Sequence, residues 1–292
     1  MELLRSLIFV PGNRPNMLER ALGFNADVVM VDLEDSVPPA EKVNARELAR
    51  EWVPRLRHAG RRVMVRVNSL DTGRTRDELA AVISPSLSGI SIGKAESPWD
   101  LQEADRIIGP LEAAAGLEPG SVKLIPWIES ARAVMNVQQM AAAPRIVAIA
   151  FGAEDYTNDM GVPRTDGGEE VYVPRATMAI AARAAGIAAL DGPYVAFRDP
   201  EGLRQDAQVA RQLGYQGKFA IHPSQIDIIN ETFSPRAEEV EYARRVVEAW
   251  SQAEANGRGS LDLDGKMVDV PVVKRARNLL ALVEAISRQN GA

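Results

Sequence analysis

Cysteine is missing from the chain altogether, which excludes disulfides, thiolate-bound metals and a cysteine nucleophile at one stroke. Histidine is almost as scarce: with only His58 and His222, a zinc site of nitrogen and sulfur ligands is hard to assemble. Positive charge is not in surplus either. The 34 Lys and Arg against 40 Asp and Glu leave a formal net charge of −6, the opposite of the basic face on which nucleic acid recognition rests. A small anion is still admissible, because a cleft can be positive on a negative protein. No apolar run approaches the roughly eighteen residues of a membrane span. The opening MELLRSLIFVPG is broken at Arg5 and stopped at Pro11, too short for a signal-peptide core. These absences together predict a cytoplasmic protein without membrane or nucleic acid partners.

What is present is ordinary globular material, 46% apolar and 25% charged. The length of 292 residues suits one α/β barrel with an appendage as well as two smaller domains. Eight short Val- and Ile-rich runs recur, at Ser6, Asp27, Arg62, Gly89, Val122, Ile146, Gly186 and Gly217. Runs without polar alternation imply strands covered on both faces, as in a parallel sheet wrapped by helices. The segments between them mix apolar and charged residues at helical spacing, as in Asn16–Gly23 and Glu41–Leu56, or are alanine-rich, as in Pro174–Ala185. Eight βα repeats predict a closed (βα)₈ TIM barrel over residues 1–232, with a doubly wound open sheet as the alternative. Beyond it the pattern changes. Glu238–Ala255 reads as a helix, SLDLDGKMVDVP alternates about Asp264–Gly265 as a type I′ hairpin, and Val272–Arg288 reads as a closing helix. This extension, 233–292, is surplus to a barrel and is expected to cap the mouth or reach a neighbouring subunit.

In such barrels the chemistry sits at the C-terminal ends of the strands. Those ends offer Gly12, Asn13 and Arg14, then Asp32, Glu34 and Asp35, then Arg66 and Asn68, Lys94, Glu129, Glu154 and Asp155, and His222. A charge placed directly after an apolar run requires a partner or a metal. Glu129 and Asp155 follow adjacent strands, and two carboxylates plus waters describe a Mg²⁺ site. A salt-bridge network with Arg66 and Lys94 is an equally good reading of the same positions. Arg66 offers a planar fork to a carboxylate or enolate oxygen, or to Asp32 and Glu34. The Gly12–Arg14 turn could hold a phosphate or be a plain turn. Asp32, Glu34 and Asp35 fit partners of metal-bound water or caps of the next helix. His222, before Pro223, reads as a satisfied strand-end residue rather than a base.

The stretches RSLIFVPGNRPNM, VVMVDLEDSVPPAEK, VRVNS, PWIESARA, AFGAEDYTNDMG, AIHPSQI and DGKMVDVPVVKRA, in this order over nearly the whole chain, resemble the citrate lyase β-subunit-like family of the HpcH/HpaI aldolase and citrate lyase superfamily. The resemblance implies a metal-dependent carbon–carbon lyase cleaving, or forming by condensation, a 3-hydroxyacyl-CoA such as malyl-CoA or citramalyl-CoA. The products are a keto acid and a short acyl-CoA. It implies that Glu129 and Asp155 bind Mg²⁺ (or Mn²⁺), with Glu129 also facing substrate, and that Arg66 holds keto-acid or enolate oxygens. Arg14 and Lys94 are expected among the cofactor-binding residues. Asp269, an ordinary hairpin charge by spacing alone, becomes the acid/base carried to an adjacent subunit of a homo-oligomer, a trimer or hexamer. Tyr156 departs from the Leu or Phe commoner in the family, and the histidine pair of the pyruvate aldolases has no counterpart. A thioesterase acting on malyl-CoA-type esters and a β subunit of a carrier-dependent citrate lyase are the alternatives.

Overall fold

All eight Val- and Ile-rich runs form parallel strands in the computed structural model, which describes residues 3–165, 167–257 and 259–290. Met1, Glu2, Asp166, Arg258, Gly291 and Ala292, within the expected barrel and extension, lie outside them. The strands are β1 (Ser6–Pro11), β2 (Val28–Asp32), β3 (Val63–Val67), β4 (Gly89–Ile92), β5 (Lys123–Ile128), β6 (Ala148–Phe151), β7 (Ala188–Asp191) and β8 (Gly217–Ala220). Each pairs with the next, and the seam between β1 and β8 closes the sheet through Ser6 beside Lys218 and Ile8 beside Ala220. The structure is therefore a closed barrel and not the doubly wound alternative.

Side chains on one face of a strand recur every second residue. The barrel interior is packed by Leu7, Met30, Met64, Ile125, Trp127, Ala150, Leu190 and Phe219, with Phe9 packed against them. Counting on by two from Met30, Met64 and Trp127 reaches Asp32, Arg66 and Glu129. The residues that end these strands thus share the face of the core beneath them.

Around the barrel run α1 (Pro15–Ala21), α2 (Lys42–His58), α3 (Thr75–Val82), α4 (Pro98–Ala114), α5 (Ala131–Ala141), α6 (Ala153–Met160), α7 (Glu169–Ala185), α8 (Pro200–Leu213) and α9 (Ile226–Thr232). α7 starts at Glu169, five positions before the Pro174 taken as its start in the sequence. Proline is tolerated inside because only one carbonyl, that of Glu170, loses its donor. Glu169 and Glu170 meanwhile favour the positive end of the helix dipole.

By internal packing the chain divides into two units, Leu4–Asn230 and the described residues from Glu231 onward together with Leu3. The second contains α10 (Ala237–Ala255), β9 (Leu261–Leu263), β10 (Lys266–Val268) and α11 (Val270–Asn290). β9 and β10 pair antiparallel, and their two-residue turn has positive φ at both Asp264 (55°) and Gly265 (73°), as type I′ requires. Val246, Trp250, Val268 and Val273 form this unit's own core.

Candidate active site

Asp32 and Arg66 are direct neighbours in the β2–β3 register. Arg66 donates to Asp32 from Nε and Nη2, both at 2.7 Å, while the backbone N–H groups of Glu34 and Ser36 donate to the same carboxylate. Burial pushes the Asp32 carboxyl up, but the Arg66 charge and these four bonds hold it below its ordinary value. Three of the five guanidinium N–H groups are engaged, two by Asp32 and one by Asp35 at 3.1 Å. The other two make no hydrogen bond among the described residues, although Glu34 Oε2 forms an ion pair with Nη1 at 3.2 Å. Below lies an aromatic layer in which Phe9, Trp127 and Phe219 have ring centroids 4.6–5.8 Å apart. Arg66 sits 4.4 Å over Phe9, a cation–π contact.

Glu34 and Glu129 are the strained members of the group. Glu34 is 4% exposed, and its Oε2 lies 3.2 Å from Arg66. Its Oε1 is buried without a hydrogen-bond partner; the Lys94 ammonium is 3.7 Å away, beyond bonding reach. Burial raises its pKa to about 7 against the pull of Arg66. Glu129, at the end of β5, is 7% exposed. Burial raises it to about 8; the Lys94 backbone N–H, donating at 2.5 Å, works against this, and the charges of Asp155 and Glu34 add to it. Lys94 makes that bond from a left-handed backbone (φ 55°) uncommon for a residue with a side chain. Two glycines make room for the carboxylate. A Cβ on Gly152 would stand 2.6 Å from Glu129 Oε2, and one on Gly93 would stand 2.7 Å from Glu34 Oε1 and 3.2 Å from Glu129 Oε1.

Asp155 is exposed in the first turn of α6, past the end of β6 rather than on it, and its charge acts on both Glu129 and Lys94. The remaining strand-end residues divide. Asn68 is structural: its side chain donates to Leu33 and to Glu78, which also accepts its backbone N–H. His222 accepts the Ser224 backbone N–H at its Nδ1 and stacks on Phe197. Arg14 is exposed at the head of α1, beside an Asn13 whose Oδ1 is buried without a partner. Asp269 belongs to the other unit, where its Oδ1 accepts the Val272 N–H and caps α11.

The aromatic floor and the two glycines are absent from the list of polar strand ends. Only the period of two, followed back from Glu129 to Trp127, could have signalled the floor.

Among the described residues, no three Asp, Glu or His side chains gather closely enough to cage a metal unaided. Zinc and calcium are poorly served by such a set. Mg²⁺ keeps most of its waters and needs only one or two carboxylates, so Glu129 with Asp155 fits it. Burial leaves Glu34 and Glu129 with raised pKa values and one Glu34 oxygen without a hydrogen-bond partner.

Residues 5–223 match the family model described as HpcH/HpaI aldolase/citrate lyase. Citrate lyase subunit beta of Leuconostoc mesenteroides subsp. cremoris is 37% identical over 284 residues, covering 97% of this chain and 94% of that one. The (3S)-malyl-CoA thioesterase of Cereibacter sphaeroides (strain ATCC 17025 / ATH 2.4.3) is 36% identical over 283 residues, covering 97% and 95%. Among solved structures, protein CitE from Mycobacterium tuberculosis, in complex with magnesium, acetoacetate and coenzyme A, superposes with a TM-score of 0.77 at 31% identity, covering 98% of each chain.

Proposed function

Because the chain belongs to the HpcH/HpaI aldolase/citrate lyase family, we propose that it is a carbon–carbon lyase for a 3-hydroxyacyl-CoA such as malyl-CoA or citramalyl-CoA. Cleavage gives a keto acid and a short acyl-CoA, and condensation runs the same step backwards. The observation that carries this reading is the Arg66 guanidinium, fixed by Asp32 over an aromatic floor, on the same barrel face as the buried Glu129 carboxyl.

Glu129 and Asp155 would hold Mg²⁺ or Mn²⁺, and a bound divalent ion supplies positive charge to the hydroxyl and carboxylate oxygens of the substrate. Arg66 directs its open N–H donors at the oxygens that gain charge as the bond breaks, the electrostatic contribution that is usually largest. Asp32 keeps that fork from turning. Phe9, Trp127 and Phe219 exclude water from beneath it, which strengthens each charge contact. Glu129 faces the substrate as well as the ion, and Arg14 and Lys94 supply cations to the CoA moiety. Asp269, from a second copy in a homo-oligomer, exchanges a proton with the enolate carbon. The lack of cysteine fits action in a reducing cytoplasm.

The relatives named as thioesterases favour a second reading, hydrolysis of the same thioesters. The relatives named as citrate lyase subunits favour a third, assembly with carrier and transferase chains. Product analysis separates them. Purified protein with Mg²⁺ and a panel of hydroxyacyl-CoA esters should release keto acid together with acyl-CoA, and a chelator should stop it. Free hydroxy acid with CoA would establish the thioesterase; turnover only of carrier-linked esters would establish the subunit.

A further inference from the structure

Asp159, on α6, reaches across to the start of α5. Its Oδ2 accepts the backbone N–H of Ala131 at 2.8 Å, and Ala131 is the first residue of α5, two positions after Glu129. That N–H is one of the four that a helix leaves without an internal partner. Ser130 serves another, since its side chain accepts the Ala133 N–H. The first turn of α5 has no acidic residue of its own, so Asp159 supplies from a neighbouring helix the negative charge that the positive end of a helix favours. Spacing ties the same residue to the proposed metal pair. Asp155 and Asp159 are four positions apart on α6 and share a face, separated along the axis by about 6 Å. Glu129 and Ala131 are two residues apart, a span of roughly 7 Å at most. The two spacings match, so that Asp155 acts on Glu129 by its charge while Asp159 holds the Ala131 N–H.

Little else fixes α6 against that segment. It is eight residues long, runs between Gly152 and Gly161, and buries only Tyr156 and Thr157. The Thr157 hydroxyl bonds within its own helix, and Glu154 pairs with Arg164 in the loop beyond. Among the described residues, no side chain of α6 other than Asp159 hydrogen-bonds to β5 or α5. We infer that Asp159 is a positioning residue: by pinning α6 to the start of α5 it sets the span between Glu129 and Asp155, and with it the preference of that pair for Mg²⁺ over the larger Ca²⁺. This rests on the metal site proposed above. Mg²⁺ demands oxygens at about 2.0–2.1 Å in a near-ideal octahedron, whereas Ca²⁺ accepts about 2.3–2.6 Å and a flexible shell. Two carboxylates carried on separate elements meet the stricter demand only when those elements are held to one another. Releasing α6 therefore costs Mg²⁺ binding more than Ca²⁺ binding.

The test titrates metal-free wild type, Asp159→Ala and Asp159→Asn with Mg²⁺ and with Ca²⁺ by calorimetry, so that no turnover is needed. Asp159 is exposed, so both variants should fold, which circular dichroism checks. Asp159→Ala should weaken Mg²⁺ binding at least about tenfold, the usual effect of losing a ligand's support, and Ca²⁺ binding by less, so that the preference for Mg²⁺ falls. Asp159→Asn removes the charge but keeps an oxygen for the Ala131 N–H. Its Mg²⁺ affinity should stay within about threefold of wild type, the scale of one exposed charge. An Asn variant as weak as the Ala variant would assign the effect to charge alone and overturn the inference. Unchanged Mg²⁺ affinity in Asp159→Ala, or an equal loss for both ions, would overturn it too. Glu129→Ala separates this inference from the metal reading beneath it. Mg²⁺ bound equally well without Glu129 would sink the metal pair and the inference with it. Binding that needs Glu129 yet ignores Asp159→Ala overturns the inference alone.

Discussion

Burial keeps the Glu129 carboxyl protonated to about pH 8, and Glu34 to about 7, whereas both ionise near 4.5 in an ordinary setting. Across the window between these values the folded chain binds more protons than the unfolded one. Its stability therefore declines as pH rises from about 4.5 through 8. Metal-free protein should melt progressively lower between pH 5 and 8, and Glu129→Gln should flatten that slope and raise Tm at pH 8 by at least about 2 °C. Mg²⁺ should reverse the trend in the wild type, since loading displaces the proton; scanning calorimetry with and without chelator checks both. Arg66→Lys keeps the charge but loses the two-pronged contact with Asp32, and should cost about 10²-fold in kcat/KM, the scale of one lost oxyanion donor. A near-normal rate would reduce Arg66 to a partner of Asp32. These residues are legible in the sequence because a charge directly after an apolar run is costly. The raised Glu34 is not, since its cause is burial by residues that other strands bring around it.

Strand register is what turns positions into a site. Trp127 beside Ala150 and Ile128 beside Phe151 set β5 against β6, so that Gly152 comes to lie next to Glu129. The added methyl of Gly152→Ala would stand 2.6 Å from the Glu129 Cβ. That variant should fold, yet bind Mg²⁺ at least about tenfold more weakly, the usual effect of disturbing a ligand's support; metal titration by calorimetry reads it directly, and wild-type affinity would remove Glu129 from the metal site. All eight strands are legible because burial on both faces leaves uninterrupted apolar runs. The start of α7 is not, because Pro174 carries a start signal while sitting in a helix interior that tolerates it. The two glycines are equally silent. Their role depends on which side chain the next strand brings, and no local pattern encodes that.

At the scale of the whole molecule, Asp269 stands in a unit that folds on its own core. Its carboxylate caps α11, so an inactive variant could merely be a frayed one. Asparagine caps as well as aspartate. Asp269→Asn should therefore keep its melting temperature and lose cleavage, and mixing it with Arg66→Ala under subunit exchange should recover part of the activity. No recovery despite demonstrated exchange would place Asp269 outside a shared site. The hairpin and helices around it are plain in the sequence, but its catalytic part rests on resemblance alone, because nothing local separates a capping aspartate from a proton donor. The seam of the barrel carries a further consequence, for synthesis. Ser6 lies beside Lys218 in the closed sheet, and its hydroxyl donates to Asn230, which in turn donates to the Asn25 carbonyl. A nascent chain emerging from the ribosome must hold the outer edge of β1 unpaired until nearly all of the first unit has been made. Throughout that interval the edge is a template for any stray strand. Chains released before Gly217 are thus the ones a chaperone or protease must deal with.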